Sequence, residues 1–126
     1  MAKDDYSVIV LKILGYLYGC LKNGVSVSRE DLSPYSMLFR VRGEAINEQY
    51  WYNILRMLTE EGLITGLIFK TVWGKEIVCI SDIEDCKITP EGIHYLETHD
   101  SMKKAWQVLI ETKDIMVTML AKILPF

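Results

Sequence analysis

Apolar residues recur every three or four positions across residues 6–21, and this spacing predicts a first helix. Two aspartates at residues 4 and 5 occupy the N-cap position, and Asn23-Gly24 provides a C-terminal stop. The helix is apolar on every side, with Lys12 as the only charge in its interior turns. Because such a helix is normally buried on more than one side, we expect the C-terminal helix or a second subunit to cover it.

The next segment carries weaker signals. Residues 25–27 alternate like a short edge strand, and Ser28 begins a pattern typical of a short second helix, which Pro34 soon ends. Residues 35–44 show no period, and we interpret them as a loop that carries two arginines. The clearest helix of the chain follows over residues 47–61, with an apolar stripe at helical spacing and a glycine behind it as C-cap.

Beyond this helix, the pattern changes from helical spacing to two β-patterned segments. Residues 64–72 and 76–81 predict the two strands of a β-hairpin, joined through Trp73-Gly74-Lys75, where the glycine allows a tight turn. We expect Trp73 to pack back on its own domain, although a side chain at this tip is also placed to insert into a nucleic-acid groove or a protein partner.

Two helices complete the chain. Thr89 and Pro90 supply the N-cap and first position of a helix that ends at about residue 98, and residues 102–124 predict one long C-terminal helix ended by Pro125. The fold class is therefore mainly α with a small β-hairpin (α+β). We divide the chain into a domain of residues 1–99 and a C-terminal helix, residues 100–126, that packs on this domain or on a second subunit.

Composition narrows the class of protein further. The 126 residues suffice for one domain, and the net charge is −3. Two acidic residues precede the first apolar run, and no apolar stretch is long enough to cross a membrane, so we expect a soluble cytoplasmic protein without membrane contact. Three cysteines without a Cys-x-x-Cys pair argue against a disulfide framework and a zinc knuckle.

Three stretches carry a family resemblance. Residues 58–66 read LTEEGLITG, residues 87–97 read KITPEGIHYLE, and residues 105–116 read AWQVLIETKDIM. With helix, short helix, helix and hairpin in winged-helix order, the chain resembles the YjcQ-like family of small bacterial and prophage proteins. The resemblance implies a winged helix-turn-helix with an added C-terminal helix. It leaves function open, because this fold serves both DNA binding and protein interaction.

The first functional hypothesis is a prophage-type transcriptional regulator that binds double-stranded DNA. Amide and arginine side chains on the helix at residues 47–61 are suited to base edges, and basic residues of the hairpin and the preceding loop are suited to phosphates. The predicted DNA-binding residues are Gln49, Tyr52, Asn53, Arg56, Lys70, Lys75, Arg40 and Arg42. Against this hypothesis, residues 44–99 carry four basic and ten acidic residues, a net charge of −6.

The alternative is a protein-interaction or assembly module, in which the acidic surface of the helix at residues 47–61 contacts a protein partner. Under either hypothesis, the two-sided apolar patterns of the first and last helices predict a homodimer. The predicted interface residues are Leu14, Leu17, Trp106, Leu109, Met116, Leu120 and Ile123.

Signals for catalysis, metals and cofactors are weak. The acidic group at residues 82–85 lacks the glycine and distal glutamate of a calcium loop, and His94 and His99 are five residues apart, a poor spacing for shared metal ligation from one helix. The sequence contains no Gly-x-Ser-x-Gly, phosphate-binding glycine loop or His-Glu-x-x-His motif. We therefore expect a protein that is not an enzyme and needs no metal or cofactor.

Overall fold

The apolar pattern near the N-terminus forms the central helix of the structure, a computed structural model that describes residues 5–74 and 76–126. Within these residues the chain is mainly helical with a small β-hairpin, so the predicted fold class is confirmed. The helices are α1 (Asp5–Asn23), α2 (Glu48–Glu60), α3 (Pro90–Thr98), α4 (Asp100–Glu111) and α5 (Val117–Ala121), and the strands are β1 (Ile64–Thr65), β2 (Phe69–Val72), β3 (Glu76–Cys79) and β4 (Lys87–Ile88).

Helix α1 is covered within its own chain. It contacts α3, α4, α5 and β4, and its glycines allow the last helix to approach closely, since a Cβ atom built on Gly15 would collide with Cδ2 of Leu120. The cover is therefore the C-terminal part of the same chain. The residues predicted to form a dimer interface are all buried inside one chain and are unavailable to a second copy of this fold: Leu14, Leu17, Trp106, Leu109, Met116, Leu120 and Ile123.

The strands form two separate antiparallel pairs. Strand β1 pairs with β4, with Ile64 opposite Ile88, and β2 pairs with β3, from Phe69 opposite Cys79 to the turn. The continuous first strand predicted for residues 64–72 is interrupted at Gly66, which has φ 95° and lies against the backbone of residue 85. The pair β2–β3 is therefore a hairpin distinct from the pair β1–β4, in which Ile64 and Ile88 are buried.

The region between α1 and α2 differs from the prediction. In this described segment, residues 25–27 form no strand, and the short helix expected after Ser28 is reduced to a turn in which the Leu32 N–H donates to the Ser28 carbonyl at 2.9 Å. A 3₁₀ turn, Met37–Phe39, lies where a loop was predicted, and Phe39 packs edge-on against Trp51. The second helix of the expected winged-helix order is thus replaced by irregular chain anchored by one buried aromatic.

The single long C-terminal helix is also wrong, because α4 ends at Glu111 and α5 begins after a turn. Lys113 has φ 53°, and the Asp114 N–H donates to the Leu109 carbonyl at 3.0 Å while the Lys113 N–H donates to Ile110 at 3.2 Å. These are the two hydrogen bonds of a Schellman motif, here with lysine in the position that usually holds glycine.

Asp114 explains why the break occurs there. Its carboxylate accepts the N–H of Met116 at 2.9 Å and pairs with the buried ammonium group of Lys12 at 2.7 Å. The same ammonium group donates to the carbonyls of Leu38 at 3.0 Å and Arg40 at 2.7 Å. Each of the three N–H donors of the Lys12 ammonium group therefore has an acceptor. Through these bonds Lys12 links α1 to the irregular segment and to the turn before α5.

Candidate nucleic-acid interface

Helix α2 begins and packs as its sequence predicts. The Asn47 side chain accepts the N–H of Tyr50, which caps the first turn. The apolar stripe, which comprises Trp51, Ile54, Leu55 and Leu58, is buried. Its polar residues therefore lie on the opposite side, which is the side that the DNA-binding hypothesis requires to be free.

Gln49 is engaged by the hairpin. Its amide oxygen accepts the N–H of Ile77 at 2.9 Å, and its amide nitrogen donates to the carbonyl of Ile77 at 3.1 Å. These two bonds use the same donor and acceptor pair that would bind an adenine edge. Gln49 therefore fixes the position of the hairpin on α2 and is not presented to a base.

Asn53 and Arg56 are engaged along the helix itself. The Asn53 amide nitrogen donates to the Gln49 carbonyl at 2.9 Å, and its oxygen accepts from Arg56 at 3.2 Å. Arg56 also pairs with Glu60 at 2.8 Å, one turn further along α2. The arginine charge is therefore matched by an acidic neighbour on the same face, which weakens its attraction for phosphate.

Tyr52 lies in a cleft rather than on an open surface. A space of about 510 Å³ lies between α2, the end of β3 and residues 29–35, and it is lined in part by Tyr35, Trp51, Tyr52 and Cys79. Burial, followed by the nearby Glu48 carboxylate, raises the pKa of Tyr52. The side chain is half-buried and faces the hairpin base instead of projecting with Asn53 and Arg56.

The predicted phosphate contacts are separated in the structure. Arg42 pairs with Asp5 at 2.9 Å, and the Arg40 carbonyl accepts from Lys12, so both arginines lie beside α1. Lys70 is exposed on β2, and Lys75 lies outside the described residues. The structure thus places the Arg40 main chain and the Arg42 side chain beside α1 and Lys70 on the hairpin, while the exposed Arg40 side chain donates to the Gly43 carbonyl.

The hairpin tip differs from the prediction for Trp73. Trp73 does not pack back on its domain: its side chain is 98% exposed and its backbone has φ 47°. Gly74 follows with φ 80°. Glycine adopts positive φ at no steric cost, and asparagine adopts it more readily than other residues. A large aromatic residue therefore occupies a strained, fully solvated position.

One face of the hairpin is also exposed and largely apolar. We call it the outer face; the register places six side chains on it, Ile68, Lys70, Val72, Glu76, Val78 and Ile80. Ile68 is 59% and Ile80 60% exposed, whereas Phe69 and Cys79 on the opposite face pack against the core. The alternation of side-chain direction along the two predicted strands could have assigned these residues to one face.

Charge around α2 and the hairpin is slightly negative. Residues 47–79 carry three basic side chains, Arg56, Lys70 and Lys75, and four acidic ones, Glu48, Glu60, Glu61 and Glu76, for a net charge of −1. The remaining candidates from the sequence have local roles, since Arg29 pairs with Asp82 at 3.0 Å and His99 stacks on Tyr95. In the described part of the chain, no helix is long and apolar enough to span a membrane.

Comparison with known proteins gives a family match. A family model described as "YjcQ protein" matches residues 11–115, a span that runs from within α1 to the turn before α5. No curated protein and no solved structure matches the chain.

Proposed function

The chain belongs to the YjcQ family, and from that premise we propose that it is a protein-interaction module that contacts its partner through the β2–β3 hairpin. The contact surface consists of Trp73 at the tip and the outer face below it. Helix α2 positions the hairpin and does not itself read a ligand.

Trp73 carries this proposal. A residue with positive φ pays roughly 1–2 kcal/mol of backbone strain, and a fully exposed tryptophan gains nothing from burial in return. Backbone strain that the fold itself does not offset is found mainly at functional sites. Exposed tryptophans are frequent anchors of protein interfaces, where they enter a pocket of the partner.

The hydrogen bonds of α2 support the same proposal. Gln49, Asn53 and Arg56 are all bonded to neighbouring groups of the chain, so base contact would first have to break these bonds. The net negative charge of residues 47–79 opposes phosphate, whereas the outer face offers an apolar surface of the kind that protein interfaces bury.

DNA contact by the hairpin is the second candidate. It is favoured by one observation: Lys70 is exposed on β2, below the solvated ring of Trp73, so a phosphate contact and base stacking are available on one element. Under this candidate the chain acts as a prophage-type regulator of transcription. The predicted homodimer would have to use a surface other than the buried residues named above.

Affinity purification with two hairpin variants tests the proposal. Trp73→Asn suits the turn conformation and removes the anchor, whereas Trp73→Phe keeps an aromatic ring as the matched control. We expect the wild-type chain and Trp73→Phe to retain from native cells, after nuclease treatment, a protein that Trp73→Asn does not retain. Equal recovery by Trp73→Asn would contradict the proposal.

A DNA titration separates the two candidates. All three tryptophans lie in the described residues, and only Trp73 is exposed, so the fluorescence difference between the wild-type chain and Trp73→Phe reports on the tip. We expect mixed duplex DNA at low salt to leave this difference unchanged. Quenching that disappears as salt is raised would favour the DNA candidate.

A further inference from the structure

The two edges of the hairpin differ in their free main-chain groups. The Ile80 N–H donates to the Ile68 carbonyl at 2.9 Å, so this pair is hydrogen-bonded across the hairpin. In an antiparallel pair of strands, such residues alternate with pairs whose N–H and C=O groups point outward. The next pair, Phe69 and Cys79, is therefore of the outward type, as is every second pair towards the turn.

The outer edge of β3 is closed at Ile77. Ile77 belongs to an outward pair, and both of its main-chain groups are bonded to the Gln49 amide, at 2.9 and 3.1 Å. A single side chain of α2 thus takes the place of a neighbouring strand. No further strand can pair at Ile77 without displacing Gln49.

The outer edge of β2 is open. We give the name β2 outer edge to the N–H and C=O groups of Phe69 and Thr71, which point away from β3. Among residues 5–74 and 76–126, no group forms a hydrogen bond with them. Lys70 and Thr71 are exposed, so a neighbouring strand can reach this edge from solvent.

We propose that the β2 outer edge receives an extended segment of the protein partner, which adds a third strand antiparallel to β2. This inference rests on the proposed function and specifies how the partner binds. Four main-chain groups give the segment its hydrogen bonds, and the side chains at alternate positions select its sequence.

The side chains around this edge define the chemistry of the segment. Lys70 lies between the two bonding residues, so it faces the added strand in a non-hydrogen-bonded pair, where side chains approach most closely. On the outer face, Lys70 is flanked by Ile68 and Val72. The complementary segment carries an aspartate or glutamate opposite Lys70 and an apolar residue two positions to either side.

Charge also argues against a second copy of the chain as the occupant. Two β2 edges paired about their centres would place Lys70 opposite its own copy, and like charges directly opposite each other destabilise a sheet. Lysine on an edge strand is a common protection against pairing with an identical edge. The edge is therefore complementary to an acidic segment and not to itself.

A displayed peptide library tests the charge preference. The full chain is the bait, and the probe is a library of nine-residue peptides with apolar residues fixed at positions 3 and 7 and position 5 randomised. We expect the wild-type chain to enrich aspartate and glutamate at position 5, and Lys70→Glu to enrich lysine and arginine there. Failure to enrich any peptide, or the same preference with both baits, would overturn the proposal.

A second pair of variants tests the main-chain contacts. The Thr71 N–H points outward, so Thr71→Pro removes an edge donor without breaking the hairpin ladder, and Thr71→Val keeps the donor as the matched control. For a selected peptide, we expect Thr71→Pro to weaken binding about tenfold, which corresponds to about 1.4 kcal/mol. Thr71→Val should bind nearly as the wild type does, and circular dichroism checks that both variants fold.

The outcomes distinguish this inference from the proposed function. Equal affinity for Thr71→Pro and Thr71→Val would overturn strand addition, even where capture of the partner still depends on Trp73. Amide exchange at Phe69 and Thr71 identifies the occupant: slow exchange in the chain alone, together with a dimeric mass, would mean that a second copy fills the edge and would overturn the acidic segment. Slow exchange only after peptide is added is the expected result.

Discussion

Helix α1 and the β2–β3 hairpin are both rich in apolar residues, but they differ in how far these residues are buried. In α1, the apolar side chains from Val8 to Leu17 are buried, and the charged side chain among them, Lys12, has three partners. On the hairpin, Trp73 is solvated and strained, and Ile68 and Ile80 are more than half exposed. We interpret the packed region around α1 as a rigid scaffold and the exposed hairpin as a contact element. The comparison can be tested from both sides.

The largest loss of stability is expected when the buried hydrogen-bonded ion pair of Lys12 is removed. Lys12→Met removes the ammonium group and leaves the Asp114 carboxylate and two carbonyls without their partner. Breaking a buried ion pair in this way costs about 3–5 kcal/mol. Urea denaturation of the variant should show this loss, and Lys122→Met, at an exposed lysine, should remain within about 0.5 kcal/mol of wild type. A loss below about 1 kcal/mol at Lys12 would show that the buried network is dispensable.

A smaller effect is expected where α1 and α5 meet. A side chain at Gly15 would collide with Leu120, so Gly15→Val should destabilise the chain by about 1–3 kcal/mol through overpacking. Thermal denaturation measures the loss. Leu120→Ala opens space at the same contact, and the double variant should lose less than the sum of the two single variants. Strict additivity would mean that the close approach of these helices is not a constraint.

Alkaline pH should weaken the scaffold. Burial raises the pKa of the Cys86 thiol to about 12, from an ordinary value of 9.0. Because the folded-state pKa lies above the unfolded one, the contribution to stability is complete below pH 9 and is lost as pH rises towards 12. The loss from one group is at most about 1.4 kcal/mol per pH unit.

Urea denaturation between pH 9 and pH 10 measures this slope, and Cys86→Ala should flatten it relative to wild type. Burial also raises the pKa of Tyr16 to about 12, which adds a second loss above pH 10. Identical slopes for wild type and Cys86→Ala would contradict the assignment of the effect to Cys86.

The smallest expected change is a gain in stability, and it comes from a substitution in the hairpin. Trp73→Asn places a residue that tolerates positive φ at the tip and gives up no burial, so it should stabilise the chain by about 0.5–1 kcal/mol. Trp73→Phe keeps the strain and should leave the melting temperature unchanged. A marked loss of stability in Trp73→Asn would show that the tryptophan packs on its own domain in solution.

Local signals were sufficient for most of the regular elements. The start of α2 at Asn47 and the start of α3 at Thr89 and Pro90 depend on groups within three residues. Both helix starts could therefore be predicted from the sequence. Two β-patterned segments around a glycine turn likewise predicted the hairpin. The family match, over residues 11–115, covers these elements.

Long-range contacts account for what was missed. The break in the C-terminal helix depends on Asp114 meeting Lys12, and the periodicity of the last segment contains no trace of that pair. Gln49 was read as a free side chain because its partner, Ile77, is 28 residues away. Asn53 and Arg56 likewise bond to Gln49 and Glu60 on the same helix, contacts that residue type and helical face alone do not reveal.

Photo-crosslinking at the hairpin tip tests the central claim most directly. The photoreactive residue p-benzoylphenylalanine is introduced in place of Trp73, and, as a control, in place of the exposed Lys104 on α4, in cells that naturally express the chain. The account predicts a discrete protein adduct from position 73 that is absent from position 104. Adducts with nucleic acid alone at position 73, or the same protein adducts at both positions, would contradict it.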